Sequence, residues 1–352
     1  MSAATTRRPV LAVVTSTGQA LRFFDGHSYE PLGDLPVAAQ PHEIAADPER
    51  GLLYVSHTYR SGVYTAPGAK AHEISVIDPY RRDLVDVIPL EPEQAPHGLA
   101  LDHRGGLLYV TVEAGPAGGG ALVGIDTTTR KPVRRIEVST RGPHWVVVTP
   151  DGTKAYTAGK EAPFISVIEL ERGQLTRQIP MPYGTEELAL SPDGRFAYVA
   201  AAMIDYTGGD DDQHPACLKT IDTERDLIVH TVPLDHPASP VHVTADGQVL
   251  TGLVRFSAPG VPADGLLKTF QPGTEPGVLS HRFTTEVGKV PLTIRTTPDS
   301  SRAFVANLRS GTLDIVDLTT GAHTRRLDID PGDPAHVQGA HGIAYLPPRG
   351  PS

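Results

Sequence analysis

Cysteine, tryptophan and methionine are scarce in this sequence of 352 residues, which contains one Cys, one Trp and three Met. The single cysteine, Cys217, excludes a disulfide bond within the chain and any zinc site that is built on several thiolates. A lone cysteine also agrees with a reducing compartment. Any metal ion must therefore be bound by histidine and carboxylate side chains.

Positive charge is also in short supply, since 31 Lys and Arg stand against 41 Asp and Glu, which gives a formal net charge of -10. The chain lacks a surplus of cations to meet phosphate groups, so nucleic acid and anionic membranes are not expected as partners. No apolar run approaches the roughly 20 residues that span a bilayer, and the apolar stretch 10–14 is too short for the core of a signal peptide. We therefore expect a cytoplasmic protein.

Glycine and proline, in contrast, are abundant, with 35 and 33 residues, and this density of turn formers leaves little room for long helices. One segment recurs along the chain. Four copies align at 41–48, 96–102, 143–150 and 185–192, and weaker copies follow at 238–245, 290–298 and 340–346. The copies are followed by turns and by β-rich runs such as Leu-Tyr-Val-Ser at 53–56.

The repeat period of about 42 to 55 residues is typical of one propeller blade, which consists of four short antiparallel strands. Seven copies predict an all-β fold, a seven-bladed β-propeller of four-stranded antiparallel blades. A β-sandwich is the alternative, but sandwiches do not repeat seven times at this period. Three strand-like runs precede the first copy and none follows the last. We therefore expect one domain, 1–352, in which 9–37 and 339–346 form the closing blade with the C-terminal strand innermost.

The runs Leu-Tyr-Val-Ser (53–56) and Ile-Ser-Val-Ile-Asp (74–78), together with the Ser/Thr-Pro-Asp-Gly turns at 149–152 and 191–194, resemble those of YVTN-type seven-bladed propellers. The resemblance covers essentially the whole chain and implies the same fold. It says little about function, because these propellers include lactonases, lyases, metalloenzyme domains and binding scaffolds.

The first strands of the repeats, aligned on their closing turns, place seven residues in one column: His42, His97, His144, Glu186, Ser239, Leu292 and His341. Four or more histidines in seven such positions would arise from composition alone about once in ten thousand cases. Since the innermost strands line the central channel, the column should form a ring at its mouth, and four imidazoles there predict a site for one divalent transition metal. Zinc is the expected ion, and iron, manganese and copper are alternatives. Duplication of a blade that carried Pro-His explains the column without any metal.

Glu186 is interpreted as a further ligand, a partner of a ligand or a general base beside the four metal-binding histidines. The same mouth receives the long loops that join second and third strands, at 58–71, 113–120, 203–215 and 256–265, which are suited to a substrate pocket. Among their residues, His57, Tyr59 and Arg60 are the candidate catalytic groups that accompany Glu186. Further residues that could reach a bound molecule are Tyr64, His72, Glu113, Lys160, Glu161, Tyr206, Arg255 and Arg309.

The favoured hypothesis is a metal-dependent lyase or hydrolase that acts on a small molecule. The run Pro96-His-Gly-Leu99 resembles inner strands of streptogramin B lyases and amidating lyases, propellers that use a histidine-bound metal. Four histidines on a seven-bladed ring also resemble the iron site of carotenoid cleavage oxygenases, so a histidine-ligated iron or copper oxidase is an alternative. The same residues are compatible with a metal-free lactonase similar to 6-phosphogluconolactonase-type propellers and with a non-enzymatic binding scaffold.

Overall fold

The computed structural model describes residues 8–63, 66–115, 118–138, 142–160, 162–204, 214–330 and 339–349. The strands in these residues form seven four-stranded antiparallel sheets and one small two-stranded hairpin. The prediction of an all-β, seven-bladed propeller is thus confirmed. Within the described residues there is no helix of the length and hydropathy that crossing a membrane requires.

The closing blade, blade 7, joins the two ends of the chain. Its strands are β1 (Val10–Thr15), β2 (Ala20–Asp25), β3 (Pro31–Pro36) and β30 (Ala340–Leu346). The order across the sheet is β3-β2-β1-β30, so the C-terminal strand is innermost, as expected. This pairing satisfies the backbone of β1 along an edge that an open ring would leave exposed.

The other six blades follow in chain order, and in each the first strand is innermost. Blade 1 comprises β4 (Pro41–Asp47), β5 (Leu52–Tyr59), β8 (Lys70–Asp78) and β9 (Asp83–Pro89), with the hairpin β6 (Gly62–Val63) and β7 (Ala66–Pro67) inserted. Blade 2 comprises β10 (Gln94–Asp102), β11 (Leu107–Ala114), β12 (Ala121–Asp126) and β13 (Lys131–Glu137). Blade 3 comprises β14 (Pro143–Val148), β15 (Lys154–Gly159), β16 (Phe164–Glu169) and β17 (Gln174–Pro180).

The second half of the ring has the same organisation. Blade 4 comprises β18 (Leu188–Leu190), β19 (Phe196–Ala201), β20 (Cys217–Asp222) and β21 (Leu227–Pro233). Blade 5 comprises β22 (Ala238–Val243), β23 (Val249–Ala258), β24 (Val261–Pro272) and β25 (Leu279–Lys289). Blade 6 comprises β26 (Pro291–Thr296), β27 (Arg302–Asn307), β28 (Thr312–Asp317) and β29 (His323–Asp328).

The hydrophobic core lies between neighbouring blades rather than at one centre. Between blades 1 and 2, for example, Tyr54 and Val76 pack in one cluster with Leu108 and Val110. Both faces of strands inside a blade are covered in this way, so β5 is a continuous buried run, whereas the outer strand β9 is mostly exposed. Seven such interfaces hold the inner strands in fixed positions around the channel.

One predicted loop is mostly strand. The segment 256–265 was expected to be a long loop, but β23 and β24 extend through it and pair as far as Ala258 and Val261. The reversal is made at Gly260, whose φ of +69° lies in the left-handed region that glycine tolerates. A Pro-Gly sequence thus marks a tight hairpin turn here, because the flanking residues retain a strand pattern.

Candidate metal centre

A β-bulge lies at the start of the inner strand in six blades, at the column position. The pairing register shifts between Pro41 and Ile44, between Pro96 and Leu99, and between Pro143 and Trp145. The shifts in blades 5, 6 and 7 bracket Ser239, Leu292 and His341. A bulge changes the direction of the side chain that it contains. The repeated sequence therefore encodes a repeated bulge that presents the column residues.

The four column histidines lie together in the order that the sequence predicts. The ring centroids of His341 and His42 are 4.1 Å apart, those of His42 and His97 4.3 Å, and those of His97 and His144 3.8 Å. His42 and His144 are 6.5 Å apart, which is compatible with one shared ion. Ligand atoms of His42, His97 and His144 lie within 4.8 Å of one another. Two nitrogens bound to one zinc ion can be at most about 4.2 Å apart, so a small inward movement suffices.

The ring is buried and holds nitrogen atoms that lack a hydrogen-bond partner. All four imidazoles are at most 7 % exposed. In the described residues, Nε2 of His42, His97 and His144 has no hydrogen-bond partner. Leaving buried polar atoms unsatisfied costs about 1–3 kcal/mol each, so several in one place call for an explanation. A bound cation would satisfy them all.

Oxygen atoms lie beside the Nδ1 atoms of three of the histidines, two from carboxylates and one from the backbone. Glu43 Oε1 lies 3.2 Å from His341 Nδ1, and Glu113 Oε1 lies 3.3 Å from His97 Nδ1, although neither contact has hydrogen-bond geometry. His144 Nδ1 is 3.0 Å from the backbone oxygen of Glu186. An oxygen at Nδ1 selects the tautomer that leaves Nε2 free for a metal, which is the usual support of histidine ligands. The donor set therefore fits a transition-metal ion.

Glu113 is fixed by groups from blade 1. Tyr59 donates a hydrogen bond of 3.0 Å to Glu113 Oε1, and Lys70 Nζ lies 3.3 Å from Oε2. Burial acts to raise the pKa of Glu113, but the contacts with His97, Lys70 and Tyr59 outweigh it and lower the pKa to about 2. Glu113 is therefore ionised and can hold His97 in place. Tyr59, a predicted catalytic residue, is connected to the ring through this carboxylate.

Glu186 occupies the next position around the mouth. Lys160 Nζ lies 2.8 Å from Glu186 Oε1, and the Ser239 hydroxyl donates to Oε2. Oε1 is 4.0 Å from His144 Nε2. Glu186 is therefore held beside the imidazoles by a lysine and a serine. Ser239 supports this carboxylate, a role that its place in the histidine column did not indicate.

Three of the imidazoles, those of His42, His97 and His144, are unprotonated at neutral pH. Burial lowers the pKa of His42 and His144 well below the ordinary value of 6.5, and neighbouring imidazoles add to the effect. Burial also lowers the pKa of His97, although Glu113 opposes the change. These lone pairs are thus available to a cation without the prior loss of a proton.

The structure does not bring His57 and Arg60 into the ring. His57 is buried within blade 1, with Nδ1 3.1 Å from the Ala39 oxygen and Nε2 2.8 Å from Ser75 Oγ. Arg60 is half exposed and pairs with Glu73 at 3.2 Å. Of the other loop residues, His72 and Arg255 bond elsewhere, and no contact of the Arg309 side chain with the ring is described. Tyr64, Glu161 and Tyr206 lie outside the described residues.

Glu43 is the principal site residue that sequence reasoning missed. It follows His42, and strict strand alternation would direct the two side chains to opposite faces. The bulge after Pro41 breaks that alternation, and His42, Glu43 and His341 form a second group whose ligand atoms lie within 4.8 Å of one another. The available signal was the Pro-His start of the strand, which recurs at the bulges of blades 1, 2 and 3.

A second layer of polar residues lies below the ring. The side chain of Glu187 enters the channel, where Oε1 lies 3.3 Å from Arg295 Nη1 and the Val241 N–H donates to Oε2 at 3.3 Å. Burial raises the pKa of Glu187 to about 8 despite the opposing effect of Arg295, and Glu43 adds to the rise. Glu187 is therefore largely protonated at neutral pH, and Arg295 carries the net charge of this layer.

Gly98, which follows His97, allows two blades to approach closely. A Cβ atom there would lie 2.7 Å from the backbone oxygen of His144 and 2.8 Å from Trp145 Cα. Because both atoms belong to backbone, we expect Gly98→Ala to lower the free energy of unfolding by about 2–3 kcal/mol. Denaturant unfolding followed by circular dichroism measures this loss. Gly119→Ala is the matched control, since a Cβ there meets no atom of the described residues within 4 Å. Equal stability of the two variants would contradict the predicted close approach.

Comparisons with known proteins agree with this fold. No protein-family model and no curated protein matches the sequence. A periplasmic gluconolactonase of Pseudomonas aeruginosa superposes with a TM-score of 0.69 and 20 % identity, over 96 % of this chain and 99 % of that one. A putative 6-phosphogluconolactonase from Bacteroides fragilis gives a TM-score of 0.68 and 18 % identity, over 98 % and 100 % of the two chains.

The resemblance to lactonase-like seven-bladed propellers is confirmed at the level of the fold. Hydrazine synthase from Kuenenia stuttgartiensis also aligns, with a TM-score of 0.63 and 15 % identity over 84 % of this chain and 88 % of that one. Proteins with such different names share one architecture, so the fold does not assign a reaction. The chemistry of this chain depends on the residues of the ring itself.

Proposed function

We propose that this protein is a metal-dependent enzyme, of the hydrolase or lyase type, that acts on a small molecule at the mouth of the channel. The observation that carries the proposal is a cluster of four buried histidines, three of which have an Nε2 atom with no hydrogen-bond partner among the described residues. The ligands are rich in nitrogen, which suits zinc, iron, manganese or copper rather than calcium or magnesium. Zinc is the ion that we propose.

A bound ion of this kind would supply Lewis acidity, which polarises a carbonyl group and activates water or a substrate hydroxyl. The chain itself supplies the remaining functions. Glu186, held by Lys160 and Ser239, stands where a carboxylate can accept a proton from a group near His144. Lys160 is nearly buried, so its positive charge can stabilise negative charge that develops on the substrate.

A second function, oxidation at iron or copper, is supported by the ligand set. The ring offers imidazole nitrogens as ligands, and the carboxylates of Glu43 and Glu113 lie at the Nδ1 side of His341 and His97. Imidazole suits iron and copper as well as zinc. Recovery of iron or copper, rather than zinc, from the native protein would favour this second function.

The test is elemental analysis of protein purified without a histidine tag, combined with assays on lactones and esters before and after chelation. We expect near one equivalent of a transition metal, and turnover that is lost on chelation and restored by zinc. Lactone hydrolysis that survives complete removal of the metal would contradict the proposal and favour a metal-free lactonase. Absence of both metal and turnover, after reconstitution with each candidate ion, would favour a binding scaffold.

A further inference from the structure

Below the histidine ring, the inner strands of blades 2 to 6 line an open cavity of about 300 Å³ in the central channel. Its lining begins with Trp145 and Glu187, which directly follow the column positions 144 and 186. It continues along the same strands to Val148 and Leu190, three residues further on. At about 3.3 Å per residue the lining is roughly 10 Å deep. This volume stands at the lower end of the range for small-molecule sites.

The walls of the cavity are mostly apolar. The partly exposed Leu101, Val147, Leu190 and Val243 contribute aliphatic side chains from four different inner strands, and Trp145, which is 8 % exposed, adds the edge of an aromatic surface. Such a lining favours the burial of a hydrocarbon body over a sugar or a phosphate. The apolar part of this wall therefore suits a ligand with a hydrocarbon body, and Glu187, His242 and Arg295 supply the polar part.

Arg295 supplies the charge in this wall. In the described residues every hydrogen bond of its side chain is donated by Nη1, to Glu187 Oε1 at 3.3 Å and to the Ile294 oxygen at 2.7 Å. The guanidinium carbon lies 5.3 Å from the centre of the Trp145 ring, which restricts its orientation. Nη2 and Nε remain as donors on a side chain that borders the cavity and is 20 % exposed.

We propose that the channel below the ring binds a small apolar carboxylate, whose carboxylate group meets Arg295 and whose hydrocarbon body lies against Trp145 and the aliphatic walls. The planar guanidinium presents parallel N–H groups that match the two oxygens of a carboxylate. A cavity of about 300 Å³ accommodates a monocarboxylic acid of about ten carbons or fewer. This binding needs no metal, so it is independent of the proposed enzymatic function.

Trp145 makes the proposal directly testable, because it is the single tryptophan of the chain and lines the cavity. Metal-free protein is titrated with 4-phenylbutyrate while Trp145 fluorescence and the heat of binding are recorded. We expect one saturable site. The alcohol 4-phenyl-1-butanol has the same hydrocarbon body without the charge and should bind at least about tenfold more weakly.

Two variants test the site from opposite walls. Arg295→Gln should weaken 4-phenylbutyrate at least about tenfold while the alcohol binds as before. Because this change also removes the partner of Glu187, Val147→Phe provides a second test: it fills the cavity and leaves Arg295 in place, so both ligands should be excluded. Arg225→Gln, at an exposed turn, is the matched control and should bind like the wild type. Equal affinity for acid and alcohol, unchanged affinity in both cavity variants, or no heat of binding at millimolar ligand would overturn the proposal.

Discussion

Protein in which His97 and His144 are both replaced by alanine is expected to contain less than about one tenth of an equivalent of metal, whereas the wild type contains near one. The two imidazoles are neighbours, with ring centroids 3.8 Å apart, and the part of the chain that the structure describes offers neither Nε2 a hydrogen-bond partner. Loss of a mere hydrogen-bond partner of a ligand weakens metal binding about 10–100-fold, so loss of two ligands should exceed that range. Mass spectrometry of dialysed protein measures the metal content.

The control for this experiment keeps the number of histidines equal. His27 and His103 are both exposed, and the double variant His27→Ala, His103→Ala should retain its metal. Circular dichroism and the melting temperature establish that both proteins fold. Full metal content in the folded variant without His97 and His144 would mean that the histidine column was inherited through blade duplication. Any bound metal would then lie elsewhere.

The fold was accessible from the sequence because each blade repeats the same local signals. The runs around Tyr54, Tyr109 and Tyr156 are buried in successive blades, and the turns between strands keep their Pro, Asp and Gly residues. Order around the ring then follows from chain order, since neighbouring repeats are neighbouring blades. For that reason the succession His341, His42, His97, His144 could be predicted and is found.

Contacts that depend on a β-bulge could not be predicted from the sequence. Glu43 reaches His341 only because of the bulge after Pro41, and alternation arguments hold only for regular strands. For His57 the sequence suggested a place in the site that its side chain does not take. Its backbone pairs with Pro41, next to the ring residue His42, but its side chain forms hydrogen bonds within blade 1. The pair of Glu187 and Arg295 joins blades 4 and 6, and no local pattern connects residues so far apart.

The metal-free protein is expected to lose roughly 2 to 4 kcal/mol of its free energy of unfolding between pH 6.5 and 5.5. His42 and His144 have folded-state pKa values well below 6.5, and burial lowers that of His242 to about 3. The folded state therefore binds fewer protons than the unfolded chain below pH 6.5, so acid favours unfolding. Each such histidine contributes about 1 kcal/mol over this interval, because the unfolded imidazole passes from about half protonated to about nine-tenths protonated. Urea unfolding in chelator at several pH values measures the loss.

Other groups adjust the size of this loss without changing its sign. Glu187 acts in the opposite direction, because its pKa rises from 4.5 to about 8 on folding and its contribution to stability therefore grows as the pH falls from 8 to 4.5. It offsets about one histidine. Glu113, with a pKa of about 2, loses its contribution only below about pH 4.5 and leaves this interval unaffected.

A variant outside the ring separates this titration from metal binding. His242 lies in the channel wall, with Nε2 3.0 Å from the Thr296 hydroxyl, and it is not among the grouped metal-binding residues. His242→Gln should reduce the loss between pH 6.5 and 5.5 by about 1 kcal/mol and leave metal content unchanged. Replacement of the exposed His27 should change neither quantity. Constant stability of the wild type across this interval would show that the imidazoles bind protons as readily in the folded protein as in the unfolded chain. That result would contradict the prediction that the ring histidines are buried and neutral.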